Sequence, residues 1–213
     1  MELIVKNVTK RIREKMILDD VSMHLSGGNV YGIVGRNGSG KTMLLRALAG
    51  LIRADEGEIW YQDQLLHKDM DVPPSLGIII ENAGLYPEFT GMKNLRLLAA
   101  IKKTIGDKEI REAMERVGLD PEDKRTYRKY SLGMKQRLLI AQAIMEKPDV
   151  LLLDEPANGL DEEAVGLMRR IVEEERKRGA LILLASHNKE DIGLLADTVY
   201  RMEAGCLREE AEQ

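Results

Sequence analysis

Gly35-Arg36-Asn37-Gly38-Ser39-Gly40-Lys41-Thr42 follows the spacing G-x-x-x-x-G-K-[ST], and its reading decides the fold of this chain. Glycines in such a run let successive backbone N–H groups turn toward one anionic centre without a Cβ in the way. Lys41 is then free to reach the outer phosphates of a nucleotide, and the Thr42 hydroxyl suits Mg²⁺. A helix starting near Thr42 adds the positive end of its dipole at the same place. The flanks agree with this reading. Val30-Tyr31-Gly32-Ile33-Val34 predicts a buried strand just before the loop, and Met43 to Ala49 predicts an apolar helix just after it, closed by Gly50. A glycine-rich turn that matches by accident would account for the loop but not for its flanks.

The chain has 213 residues, which suits one α/β domain with room for an inserted subdomain. Hydrophobic residues at 44% and charged residues at 32% describe a globular protein, and a formal net charge of -4 gives no general attraction for nucleic acid or anionic lipid. The single cysteine, Cys206, has no partner for an internal disulfide, in keeping with a reducing compartment. The N-terminus lacks the basic-then-apolar pattern of a signal peptide, and apolar runs such as Ala180 to Ala185 fall far short of the ~20 residues that span a bilayer. The eleven methionines are read as core filling, and His24 and His67 as ordinary strand or surface residues.

Strands are expected near Leu3 to Val8, Ile17 to Leu25, Val30 to Val34, Glu58 to Tyr61, Leu76 to Ile80, Val150 to Asp154, Leu181 to Ala185 and Thr198 to Met202. Thr90 is placed to cap a helix through Ile101, Asp107 one ending at Gly118, and Ser131 one reaching Met145 before Pro148. The stretch from about 85 to 145 is therefore helical and interrupts a strand-rich chain. The second strong signal is Val150 to Leu153 followed by Asp154-Glu155-Pro156, an apolar strand ending in adjacent carboxylates. In a nucleotide site the first holds the metal shell and the second orients or deprotonates the attacking water. A buried strand ending in a polar turn describes the same backbone but not the paired acids.

Taken together, these residues resemble the ATP-binding subunit of an ABC transporter over essentially the full chain. After the phosphate loop, Glu81 stands where the family usually has the glutamine of its Q-loop. Tyr130-Ser131-Leu132-Gly133-Met134-Lys135-Gln136-Arg137 matches the signature segment, Asp154 and Glu155 the Walker B acids, Asn158-Gly159-Leu160-Asp161 the D-loop, and Ser186-His187 the switch histidine. The resemblance implies an α/β P-loop NTPase (RecA-like) core with an N-terminal antiparallel β region and a helical subdomain inserted at about 85–145, all in one domain spanning 1–213. It further implies a head-to-tail homodimer, or a paired ATPase subunit, in which each ATP lies between the phosphate loop of one copy and the signature segment of the other.

In that arrangement Gly35, Asn37, Gly38, Ser39, Gly40 and Lys41 bind the phosphates, and Thr42 and Asp154 hold Mg²⁺ with Glu81 near the metal or its water. Glu155 serves the water, His187 steadies the γ-phosphate, and Asp161 communicates across the interface. Ser131 and Gly133 would contact the second copy's ATP, although on its own a serine at that position is more often an ordinary N-cap. A lone histidine after a strand is likewise more often structural.

Three positions depart from the family pattern. Ile12 falls where an aromatic residue usually stacks on adenine, a contact worth ~1–3 kcal/mol by substitution. Glu81 replaces a neutral side chain with a carboxylate, and Leu132 and Met134 alter the signature. Ile80 to Pro87, Thr90-Gly91 with Asn94-Leu95, and Ser131 to Arg137 resemble the branch associated with bacitracin and lantibiotic resistance or immunity. That branch implies ATP hydrolysis at the inner face of the cell membrane, coupled to a separately encoded permease and to export of an antimicrobial peptide or similar compound. The competing class is a non-transport ABC ATPase acting on ribosomes or nucleic acid. One domain, no long heptad insertion and the acidic balance disfavour it, and Lys124-Arg125 with Arg128-Lys129 reads more simply as a solvated face.

Overall fold

The computed structural model describes residues 1–80 and 84–210. Three strands carry the centre: β3 (Val30–Val34), β7 (Val150–Asp154) and β8 (Leu181–Ser186) are buried at every position. Strands apolar on both faces belong inside a parallel sheet covered on both sides. They lie there in a six-stranded sheet ordered β10-β9-β3-β8-β7-β6, with β6 at Leu76–Ile79, β9 at Thr198–Glu203 and β10 at Cys206–Glu209. Only the β9–β10 pairing in it is antiparallel.

Side chains alternate across a strand, so the same three strands feed opposite cores. Val30, Val34, Leu151, Leu153, Ile182 and Leu184 pack on the side of the helices α2 (Gly91–Lys102), α3 (Asp107–Arg116), α4 (Leu132–Ile144) and α5 (Glu162–Lys177). Tyr31, Ile33, Val150, Leu152, Leu181 and Leu183 pack with helix α1 (Lys41–Leu48) and an antiparallel sheet ordered β2-β1-β4-β5. In that sheet β1 spans Glu2–Ile12, β2 Lys15–Ser26, β4 Glu56–Tyr61 and β5 Gln64–Leu65. Val21, Met23 and Leu25 of β2 are buried while Ser22 and His24 between them are exposed, the alternation of a sheet with one wet face.

Helices α2, α3 and α4 follow one another between β6 and β7, joined in part by a 3-10 turn at Tyr127–Lys129. Thr90 and Ser131 cap α2 and α4, accepting from Lys93 N and Met134 N at 3.2 Å. Asp107 does not cap α3. Its carboxylate accepts from Arg96 Nε of α2 at 2.7 Å, so the cap position falls to Gly106, whose N–H donates to Glu109 Oε2 at 2.9 Å. That Arg96 bond holds the Asp107 carboxyl below the usual carboxylate range. A short helix, α6 (Lys189–Leu195), links β8 to β9, and among the described residues no helix is long and apolar enough to cross a membrane.

Register positions the site. Val34 pairs with Ser186, and Asp154 with Ala185. The carboxyl ends of β3, β7 and β8 therefore finish side by side, where α/β sheets place ligands.

Candidate functional site: a phosphate-loop cleft

A cleft of about 840 Å³ opens at those strand ends, lined by Asn37 to Met43 together with Asp154, Glu155, Asn158 and His187. Gly40, at φ 117, gives the loop its left-handed turn, and a Cβ there would stand 2.8 Å from Ile17 O. Only glycine fits a conformation so placed. Helix α1 begins at Lys41 immediately afterward, so its first N–H groups and its positive dipole end face the cleft.

Lys41 is buried, with Nζ donating to Gly35 O at 2.7 Å and Arg36 O at 3.3 Å, and lies 4.0 Å from Glu155 Oε1. Its charge is thus held by the loop itself, within reach of an anion in the loop. Ser39 is also buried, and among the described residues its Oγ finds no hydrogen-bond partner. Buried hydroxyls are normally paired, so this one fits a phosphate oxygen.

Thr42 Oγ1 donates to Asp154 Oδ2 at 2.5 Å. A hydroxyl and a carboxylate are the oxygen-donor types that Mg²⁺ takes, so these two residues would hold it beside a nucleotide's phosphates. Among the described residues no group of three or more His, Cys, Asp or Glu side chains is placed to hold a metal. Glu81, read from the sequence as a further metal contact, lies outside the described residues.

Glu155 is held from several directions. Its carboxylate accepts from Ser186 Oγ at 3.0 Å and from His187 N at 2.9 Å, and His187 Nδ1 lies 2.9 Å from Oε2. Asn188 N in turn donates to Ser186 Oγ at 3.0 Å. The acid, the histidine and the phosphate-loop lysine therefore share one wall of the cleft.

The other sequence-derived positions fall elsewhere. Ser131 and Gly133 do not line this cleft, and Asp161 does not either. Asp161 caps α5, accepting from Ala164 N at 2.9 Å, while its other oxygen lies 3.6 Å from Arg137 Nη2. Ile12 is exposed at the end of β1 and is not part of the lining; Lys15 and Ile17 of the paired strand β2 are. Sequence reading missed these and also Arg46 of α1 and Gln136 and Leu139 of α4; the β2 and α4 residues join the lining only because those elements fold against the loop. The two arginines of the basic run are paired, Arg125 with Asp123 at 2.7 Å and Arg128 with Glu88.

The sequence profile of the ABC transporter family matches residues 18–158. The chain is 50% identical, over 95% of its length and 93% of the relative's, to the uncharacterised ABC transporter ATP-binding protein YybJ of Bacillus subtilis (strain 168). It is 35% identical over 99% of its length to the bacitracin transport ATP-binding protein BcrA of Enterococcus faecalis, of which it covers 70%. It is 33% identical over 92% of its length to the lantibiotic transport ATP-binding protein SrtF of Streptococcus pyogenes, of which it covers 85%. Among solved structures, a dimeric bacterial ABC transporter cassette superposes with a TM-score of 0.88, covering 99% of both chains at 22% identity, which supports the fold. These likenesses, and a cleft built for a nucleotide's phosphates, place the chain in the ABC transporter family as an ATP-binding, ATP-hydrolysing subunit.

Proposed function

We propose that this subunit works as a homodimer or beside a paired ATPase subunit, hydrolysing ATP with Mg²⁺ to power a separate membrane permease that exports an antimicrobial peptide of the bacitracin or lantibiotic kind. The observation that carries the reading is the meeting of Thr42 with Asp154, and of Glu155 with His187, on one wall of the cleft beside Lys41. When bound, Mg²⁺ supplies charge neutralisation for the β- and γ-phosphates.

The chain's own residues do the rest. Backbone N–H groups from Gly38 to Thr42 receive phosphate oxygens, and Lys41 exchanges its loop carbonyls for them. Glu155 accepts a proton from the attacking water, while Ser186 and His187 keep its carboxylate directed into the cleft. The second ring nitrogen of His187 then serves the γ-phosphate. Ser131 and Gly133 open α4 with a hydroxyl and free N–H groups, a suitable anion contact for the ATP of a second copy. Their position off the chain's own cleft agrees with that assignment.

The peptide-export reading draws on the names of BcrA and SrtF, relatives matched along nearly the whole chain. The stretch 85–145 is assigned the part of a moving subdomain that passes ATP-driven closure to the permease. The non-transport alternative gains nothing from these relatives. The test is ATP turnover of the purified chain with and without the co-expressed permease in lipid vesicles. Stimulation by the permease, and none by ribosomes or DNA, is expected; the opposite pattern removes the transport assignment.

A further inference from the structure

Glu155 sits at φ 47, a left-handed conformation that a side-chain-bearing residue keeps only when its neighbours hold it there. Its N–H donates to Ala185 O at 2.8 Å, and its carbonyl accepts from Asn158 N at 3.0 Å. The next residue, Pro156, brings no N–H of its own. The consecutive carbonyls of Glu155 and Pro156 instead meet the side chain of Gln136, at 3.4 and 2.9 Å. Both are acceptors, so the group facing them is the amide NH₂.

Gln136 lies on the second turn of α4, the helix that Ser131 caps. Residues three and four apart on a helix share a face, and this face runs along the loop from Glu155 to Asp161. Leu132 Cγ and Cδ2 stand 2.5 Å from where a Cβ of Gly159 would be, and Arg137 Nη2 is 3.6 Å from Asp161 Oδ2. The first two turns of α4 thus meet that loop near its start, middle and end.

We propose that Gln136 is a positioning residue for hydrolysis: it fixes the Glu155–Pro156 peptide, and through it the Glu155 carboxylate, and ties that carboxylate to the tip of α4. The second part rests on the reading of Ser131 and Gly133 as contacts to ATP held by a second copy. Under that reading an ATP in one cleft grips α4 of the facing subunit, and Gln136 of that subunit sets the glutamate of its own cleft. Each site then reports its occupancy to the other through one side-chain amide.

The test uses the full chain carrying Gln136→Leu, which removes the donor, and Gln136→Glu, which sets a carboxylate against two carbonyl oxygens. Turnover number, ATP dissociation constant and thermal midpoint are measured for each. The expected result is a fall in kcat of about tenfold for the leucine variant, the loss of two ordinary hydrogen bonds to the reacting geometry, and a larger fall for the glutamate variant. The ATP dissociation constant stays within about twofold and the midpoint within a few degrees of the parent. An unchanged kcat, or a kcat that falls only in step with affinity and midpoint, overturns the positioning role.

The link to the second copy is tested separately by gel filtration with ATP. Glu155→Gln is expected to dimerise, and Glu155→Gln with Gln136→Leu to dimerise as well, since the lesion acts on the glutamate and not on the contact. A Glu155→Gln protein that stays monomeric overturns the shared-site reading and the tie between sites, while the kcat of Gln136→Leu still decides the positioning role.

Discussion

Substituting Gly159 by alanine tests how the signature segment and the loop after Glu155 are joined. Gly159 sits at φ 74, where an alanine costs about 1–2 kcal/mol. Its new Cβ would also stand 2.5 Å from Leu132 Cγ and Cδ2, so the leucine must leave its rotamer at a further cost of about 0.5–1.5 kcal/mol. Leu132 is 65% exposed and free to swing outward, which keeps this second cost small. Leu132→Ala deletes both clashing atoms and leaves only its Cβ, at 3.6 Å, an ordinary contact. Urea unfolding of the parent, both single variants and the double variant closes a cycle. The expectation is a loss of about 2–3 kcal/mol for Gly159→Ala in the parent, with about 1 kcal/mol of it recovered when Leu132 is already alanine. Additivity within about 0.3 kcal/mol would mean that Leu132 does not rest on Gly159, and the fastening of α4 to the loop would lose one of its supports.

Two further substitutions probe other parts of the account. Glu175 of α5 is buried, with Arg116 Nη2 of α3 and Arg178 Nε each donating to it at 2.8 Å, and Arg178 also donating to Pro148 O. Glu175→Gln should cost about 1.5 kcal/mol by removing the buried charge that two part-exposed guanidinium groups share. A thermal scan should show a midpoint roughly 3–6 °C lower with ATP affinity unchanged, and a shift under a degree would mean that this cluster does not hold α3 to the core. Ile12→Tyr sets a ring at the end of β1, one hairpin turn from Lys15 of the cleft lining. Isothermal titration should give ATP binding up to about tenfold tighter; an unchanged dissociation constant would place Ile12 away from the base.

The most legible parts of the sequence were those whose signal is local. The glycine loop and its flanking strand and helix are contiguous, and the buried strand ending at Asp154 is announced by its unbroken apolar run. The caps at Thr90 and Ser131 are likewise local. Asp107 misled because a carboxylate before a helical run reads as a cap, whereas a tertiary partner, Arg96, takes that carboxylate away. Strand β10 was missed because Cys206 to Glu209 alternates poorly and gains its place only by pairing with β9.

In the cleft, the phosphate-loop side was readable and the opposite walls were not. Lys15 and Ile17 arrive because the β1–β2 hairpin folds back over the loop, Asp19 N donating to Gly205 O at 3.0 Å. Gln136 arrives from a helix some twenty residues away in sequence from Pro156. No local pattern marks a glutamine whose partners are distant backbone carbonyls. Departures from the family pattern were more informative: Leu132 meets Gly159, a contact that a glycine at 132 could not make.

The central claim is that ATP is hydrolysed by Glu155 in a site shared between copies, and Glu155→Gln tests it most directly. Purified with ATP and Mg²⁺, this variant should retain ATP affinity, lose roughly 10²-fold or more in turnover, and accumulate as a dimer by sedimentation. Turnover at the parent rate, or a monomer that persists at saturating ATP, would contradict the account.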